Sequence, residues 1–452
     1  MKVEQSKTTI KLLMLVSVAF IFLSCQDDYD VTGGQKHTEP PVLVSTDPAT
    51  GESVSPFADV VELLFDREVT LVDLTKIQLP GATVTGASSI DNTLTIAIDS
   101  LEDNKDYTLT ISKGAIKAVP GILNQEDIIV KFKAGTIPEI TKTLVTKNAS
   151  SQAQKVYNFL VEKYRKEIVS GALAKVNWNT EEAERVYRWT GKYPALNTFD
   201  YVHHYASPAN WIDYSNTTVV ENWWNNNGLV SIMWHWNVPA SEGSSDYAFY
   251  TEGTSFDVTK VFTEGTYENT QVKSDLDKIA DNLLLLQAKN IPVIWRPLHE
   301  AAGGWFWWGA KGADAYKKLW VMIFDTFKAK GINNLIWVWT TETNDESWYP
   351  GDAYVDIIGR DIYNNKDVSN LHNQYRSIRK LHQNKMVALS ECGNVADITD
   401  QWNSLAQWSW FMPWYDYDAT DESVHAHATK EFWTKAFESD KVITRDDMPS
   451  LK

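Results

Sequence analysis

Two glutamates sit where a chain could use them. Glu300 falls in "PVIWRPLHEAAGGWFWWG" (residues 292–309), where an apolar run stops at Pro297-Leu298 and a wall of indole and phenyl rings follows a Gly-Gly pair. Glu391 falls in "ALSECGN" (residues 388–394), beside a serine and a glycine-containing turn. A pair of carboxylates can cleave a glycosidic bond. One protonates the leaving oxygen, and the other attacks the anomeric carbon or activates water. The two must then hold different pKa values, one raised by apolar surroundings and one kept ionised by hydrogen bonds. Glu300 has the setting of the acid. Glu391 has that of the anion, with Ser390 and Tyr363 as possible donors. A single glutamate at a strand end is more often a surface or salt-bridged residue. Only joint placement of the two gives the chemistry weight.

Other candidates are weaker. Cys392 has no histidine-centred triad near it in sequence and reads as a packed thiol. His425 and His427 form an isolated pair, expected on a helix but not on one face, and make no metal site.

The elements that must bring the glutamates together follow from periodicity. A helix is expected with Ala153, Val156, Tyr157, Leu160, Tyr164 and Ile168 on one face, ending near Gly171. Strands are expected at 172–176, 194–199, 229–234, 291–298, 333–340, 354–361, 385–390 and 407–414. Amphipathic helices between them carry Leu276, Ile279, Leu283 and Leu286; Leu319, Ile323 and Phe327, with Gly331 just beyond; and Val368, Leu371, Tyr375 and Ile378. Near-continuous apolar strands alternating with helices describe an α/β chain, a (β/α)8 TIM barrel, over residues 145–452. Chemistry in that fold sits at the C-terminal strand ends. Those ends carry Asp200, His235, His299 with Glu300, Glu342, Asp361 with Tyr363, Glu391 and Trp414.

Residues 42–136 read differently. Short alternating runs such as "VVELLF" and "TLTIAI", separated by turn signals, describe a small all-β Ig-like sandwich. That segment contains no tryptophan, although the 452-residue chain has 20, so a spacer is expected rather than a glycan-binding module. Residues 1–24 have the basic start and apolar run of a secretory leader, too short to span a membrane stably. Leu23-Ser24-Cys25, with a small residue directly before the cysteine, resembles a bacterial lipobox, making Cys25 the acylated first residue. "CQDDYD" resembles the acidic tag of lipoproteins exported to the outer-membrane surface in Bacteroidetes-type bacteria. Residues 25–41 form the tether, so membrane contact is expected through the lipid anchor only. Loss of 1–24, with three lysines and one glutamate, takes the net charge from −17 to −19. That charge argues against nucleic acid and anionic membrane surfaces and is compatible with a neutral substrate.

The blocks "WRPLHEAAGGWFWWG", "SECG", "TGKYPALNTFDY" (190–201), "GLVSIMWHWNVP" (228–239) and "GRDIY" (359–363) resemble, in order and spacing, those of glycoside hydrolase family 26. The opening of the β segment, "VSTDPATGESVSP…VVELLFDREV", resembles bacterial Ig-like spacer domains. The family resemblance implies a retaining endo-β-1,4-mannanase acting on β-mannan, with no cofactor or metal and as a monomer. It implies Glu300 as acid/base and Glu391 as nucleophile. It further implies sugar contacts from His235 and His299, stacking by Trp305 beside the scissile bond, a hydrogen bond from Tyr363 to the nucleophile and a Trp414 platform. The aromatic run holds more indole than one platform needs, which leaves Trp307 or Trp308 for packing. Alternatives from the same family are an exo-acting enzyme, its groove closed by the 236–270 insert, and a β-1,3-xylanase or lichenase. A non-catalytic surface glycan-binding lipoprotein would be expected to have lost one glutamate, and both are present.

Overall fold

The computed structural model describes residues 39–119, 121–175, 178–416 and 424–452. The leader, Cys25 and most of the tether lie outside the described residues. The chain forms two compact units, one within 39–54 and 58–134, the other of 135–452 with 55–57.

In the first unit, strands Leu43–Asp47, Val60–Phe65, Thr93–Asp99 and Thr83–Ile90 form one sheet. Ser53–Val54, Ile128–Ala134, Asp106–Ile111 and Ile77–Gln78 form another. Alternate residues Val61, Leu63 and Phe65 are buried while their neighbours face solvent, the period of a half-buried strand. They share one core with Leu109, Ile111, Val130 and Phe132 of the opposite sheet. Sequence reading missed Thr83–Ile90. It is a polar edge strand whose register shifts at Gly86, so the apolar alternation is lost.

The second unit is the expected barrel. Its parallel strands are β1 (Ile168–Leu173), β2 (Leu196–Asp200), β3 (Leu229–Trp234), β4 (Val293–Pro297), β5 (Leu335–Thr341), β6 (Ile357–Tyr363), β7 (Met386–Gly393) and β8 (Trp410–Pro413). Each pairs with the next, and β1 pairs with both β2 and β8, which closes the ring. Nearly every strand residue is buried, because helices cover the sheet outside and side chains fill it inside. Much of the tryptophan is core: Trp234, Trp236, Trp295, Trp307, Trp308, Trp320, Trp339 and Trp408 are fully buried.

The helices are α1 (Ser151–Lys163) ahead of β1, then α2 (Glu181–Thr190), α3 (Thr218–Asn225), α4 (Tyr267–Ala288) and α5 (Ala313–Ala329) after β1 to β4, α6 (Val368–Leu381) after β6, α7 (Ile398–Asn403) after β7 and α8 (Lys430–Glu438) after β8. Two expectations are corrected. The link from β5 to β6 holds only a 3-10 turn, Glu346–Trp348, so helices do not follow every strand. Ile168 is not on the first helix. Arg165 adopts φ +62, which breaks the helical path, and the chain enters β1 at Ile168, ahead of the expected start. The helix face held by Ala153, Val156, Tyr157 and Leu160 is buried, and Ser150 caps it by accepting from the Ala153 N–H.

Candidate active site

Glu300 follows β4 on a strained turn. Leu298 and Glu300 both have φ of +50, a region non-glycine residues avoid at a cost of about 1–3 kcal/mol each. The Trp305 ring folds back over Gly303, where an added Cβ would lie 2.0 Å from the indole. This closeness explains a glycine at that position. The Trp305 indole N–H donates to Glu300 Oε2 at 3.0 Å, and Trp305 is 41% exposed. Trp307 and Trp308 are packed instead, their N–H groups donating to the carbonyls of Trp236 and His299. The insert after β3 braces this aromatic loop. Thr251 N–H donates to the Trp305 carbonyl at 2.7 Å, Trp307 N–H to that of Phe249 at 3.1 Å, and Tyr250 stacks on Phe306 with centroids 5.4 Å apart.

Glu391 lies inside β7. Between β6 and β7 the register slips, so that Arg360 faces Leu389 while Asp361 faces Glu391, and Ser390 is the extra residue. Neighbours in a regular strand point to opposite faces. A bulge relaxes that constraint and lets Ser390 and Glu391 both reach polar partners at the mouth. Ser390 Oγ donates to Asp361 Oδ1 at 2.7 Å, rather than to Glu391 as its adjacency suggested. Glu391 Oε1 accepts from the Tyr363 hydroxyl at 2.5 Å. Glu391 Oε2 accepts from Arg296, whose other terminal nitrogen donates to Asp361 Oδ2 at 2.8 Å. Gly393 leaves room for Tyr363, since an added Cβ would lie 2.7 Å from that ring.

The imidazoles form a third group. His235 Nδ1 is 2.6 Å from Asp200 Oδ2, and its backbone N–H donates to Oδ1. That carboxylate places the proton on Nδ1 and turns Nε2 away from itself. The His235 ring lies 4.6 Å from His299 and 5.7 Å from Trp414, which is half-buried and stacked on Tyr415. Burial, then the Arg296 and His235 charges, hold His299 well below the usual imidazole range, so it is neutral.

Oxygens of Glu300, Asp361 and Glu391 lie within 4.8 Å of one another. A cation could use that spacing, but the Arg296 guanidinium already bonds two of the three. Three carboxylates against one guanidinium cannot all ionise cheaply when buried. Burial, then Asp361, Glu391 and Glu342, push the Glu300 carboxyl strongly up. Burial and Asp361 also push Glu391 up, but Arg296 and the Tyr363 hydroxyl hold that rise below the one at Glu300. The proton therefore belongs on Glu300 and the charge on Glu391.

Every site residue inferred from the sequence, except Cys25 outside the described residues, lies at the barrel mouth around this cluster. Arg296 was missed as a functional residue. The signal was present, because one arginine inside the apolar run "PVIWRPL" is a buried charge that needs acidic partners. Phe249, Tyr250 and Phe306 were also missed, since nothing local ties the insert to the rings. His425 and His427 lie in a loop before α8, not on a helix, and His425 Nε2 meets Glu182 at 3.1 Å. Cys392 is buried, and burial followed by the Glu391 charge pushes its thiol far up, so it is inert.

The chain matches the family model of glycosyl hydrolase family 26 over residues 145–447 and that of a bacterial Ig-like domain over 37–133. It is 36% identical over 323 residues to a mannan endo-1,4-beta-mannosidase of Thermothelomyces thermophilus, covering 69% of this chain and 64% of that protein. It is 34% identical over 328 residues to mannan endo-1,4-beta-mannosidase B of a Piromyces species, covering 69% and 55%. The chain thus spans only 55–64% of the length of these relatives. Among solved structures, the family 26 domain of an endo-beta-mannanase/endo-beta-glucanase from Prevotella bryantii superposes with a TM-score of 0.65 at 38% identity, covering 68% of this chain and 99% of that one. A beta-mannanase from a symbiotic protist of the termite Reticulitermes speratus, complexed with gluco-manno-oligosaccharide, gives 0.61 at 37%, covering 69% and 99%.

Proposed function

We propose that this chain, which belongs to glycosyl hydrolase family 26, hydrolyses internal β-1,4-mannosidic bonds of mannan, glucomannan or galactomannan with net retention. Glu391 is the nucleophile and Glu300 the acid/base. The observation that carries the mechanism is the close approach of the two carboxylates, with oxygens within 4.8 Å. Retention works with carboxyls about 5–5.5 Å apart, whereas inversion needs roughly 6.5–9.5 Å to admit a water between carboxyl and sugar. The choice of polymer is supported by the relatives named as mannan endo-1,4-beta-mannosidases and by the gluco-manno-oligosaccharide held by the protist enzyme.

In this reading a mannosyl unit sits against Trp414, with His235 and His299 beside it. Glu391, ionised by Arg296 and oriented by the Tyr363 hydroxyl, attacks the anomeric carbon. Glu300 passes its proton to the departing oxygen. The new ester bond between Glu391 and the sugar is then broken by water, from which Glu300 removes a proton, and both carboxyls return to their starting states. Once Glu391 is esterified its negative charge is gone, so Glu300 loses one of the charges that held its proton. Its acidity rises when it must become a base.

Linear mannan, galactomannan, β-1,3-xylan and lichenan, each incubated with wild type and with Glu391→Ala, test this. A ladder of manno-oligosaccharides from mannan, absent with the variant, is expected. Mannobiose alone from the first time point would replace the endo reading with an exo one, and cleavage of a different polymer would replace the substrate.

A further inference from the structure

A groove of about 1290 Å³ is lined by the loops that follow β1 and β2 and by residues of α2 and α3. Among the described residues, none of those assigned to the active site lines it. Its walls carry aromatic rings, among them Trp178, Tyr193 and Trp211, and side-chain amides, among them Asn210, Asn222 and Asn226. Rings with neutral donors and acceptors between them suit a polyol, whose C–H faces stack on aromatics while its hydroxyls exchange hydrogen bonds.

The charges at the groove point the same way. Lys175 and Arg445 stand against Glu181, Glu184 and Asp213. Lys175 lies 3.9 Å from Glu181. The Arg445 guanidinium is stacked 3.7 Å over Tyr193 and 4.7 Å from Trp223, so it serves as a ring partner. This balance offers neither the cationic surface a polyanion needs nor the uniform acidity a cation needs.

The rings are held in place before any ligand arrives. The Trp178 indole N–H donates to the Asn216 carbonyl at 3.0 Å, and its ring packs on Tyr201 at 5.3 Å. Trp211 is 57% exposed, yet its loop is pinned by reciprocal bonds between the backbones of Ala209 and Ile212, at 2.7 and 3.2 Å. The Trp211 ring also packs edge-on against His203, with centroids 4.8 Å apart, and a ring on an ordered loop loses less entropy on binding than one on a free loop. Tyr201, beneath Trp178, directly follows Asp200, the residue that holds His235. The groove and the cleaving site are therefore built on the same end of β2.

We infer that this groove is a second glycan site, separate from the cleaving cleft, which holds neutral β-1,4-mannan and keeps the polymer beside the barrel mouth. The choice of polymer rests on the function proposed above. The experiment uses the full chain and insoluble linear β-1,4-mannan. In a Glu391→Gln background, Trp211→Ala is expected to weaken depletion of the protein from solution by about fivefold, and Trp211→Phe to restore most of it. In the active background, Trp211→Ala is expected to leave kcat/KM for mannotetraose unchanged while slowing release of sugar from the insoluble polymer. Unchanged depletion overturns the inference, as does an equal loss on mannotetraose, which would make Trp211 part of the cleft. If wild type leaves mannan intact while depletion still depends on Trp211, the groove stands and the hydrolytic reading falls.

Discussion

Two glutamates face each other across the barrel mouth, and their surroundings differ in almost every respect. Glu391 is buried within a strand and receives a guanidinium and a phenol hydroxyl. Glu300 stands on a strained left-handed turn among rings, with one indole N–H for a partner. The same side chain is held as an anion in one place and as an acid in the other. What differs is the supply of donors. Burial raises both carboxyls and the Arg296 charge lowers both, but only Glu391 also takes hydrogen bonds from that guanidinium and from the Tyr363 hydroxyl.

The most forceful way to break this comparison is to remove each glutamate and supply a leaving group that needs no proton. With a dinitrophenyl β-mannobioside, Glu300→Ala should give a burst of dinitrophenolate followed by slow turnover, while on mannan it should lose about 10²–10⁴-fold in rate. Glu391→Ala should show no burst and lose on the order of 10⁴-fold or more on both substrates. Equal behaviour of the two variants on the activated substrate would end the division of roles.

Arg296→Met removes the charge that distinguishes the two sites. Asp361 and Glu391 would be left buried and uncompensated, a loss of about 3–5 kcal/mol in stability at neutral pH. Any activity that survives should fall off at a higher pH on the acid side, because Arg296 depresses the Glu391 pKa and its loss lets that pKa rise. Thermal unfolding across pH and the pH–rate profile read both effects. A variant as stable as wild type would show that the guanidinium does not hold the site together.

Glu342→Gln sharpens the comparison from the other side. The Glu342 charge raises the Glu300 pKa, so removing it should lower that pKa. The alkaline limb of kcat/KM, where Glu300 loses its proton, should then move down by less than about one pH unit. The acid limb should stay in place. An upward movement of the alkaline limb would contradict the assignment of Glu300 as the acid.

The fold was largely legible because each barrel strand is buried on both faces and reads as an apolar run, while the covering helices keep their own period. The first strand was misplaced because Ile168 fits the helical stripe, and only the turn at Arg165 removes it from that stripe. The edge strand at Thr83–Ile90 escaped because its residues are polar on an exposed edge. In the site, strand-end glutamates, histidines and aromatics could be found by position. Of the donors to Glu391, Tyr363 could be found in this way but Arg296 could not, since it lies 95 positions away, while Ser390, the neighbour in sequence, bonds Asp361.

By itself the sequence determined which residue types stand at which strand ends, and with that the class of chemistry. Local periodicity and turn residues act over a few positions, and that range suffices to place a glutamate after a strand. Only the closed ring decided that Glu300, Asp361 and Glu391 share one small volume with a single guanidinium. Only the bulge in β7 decided that Glu391, and not Ser390, stands opposite Asp361. Protonation follows from the field of every charge and the amount of water within a few ångströms, and in a folded chain those neighbours come from segments far apart in sequence.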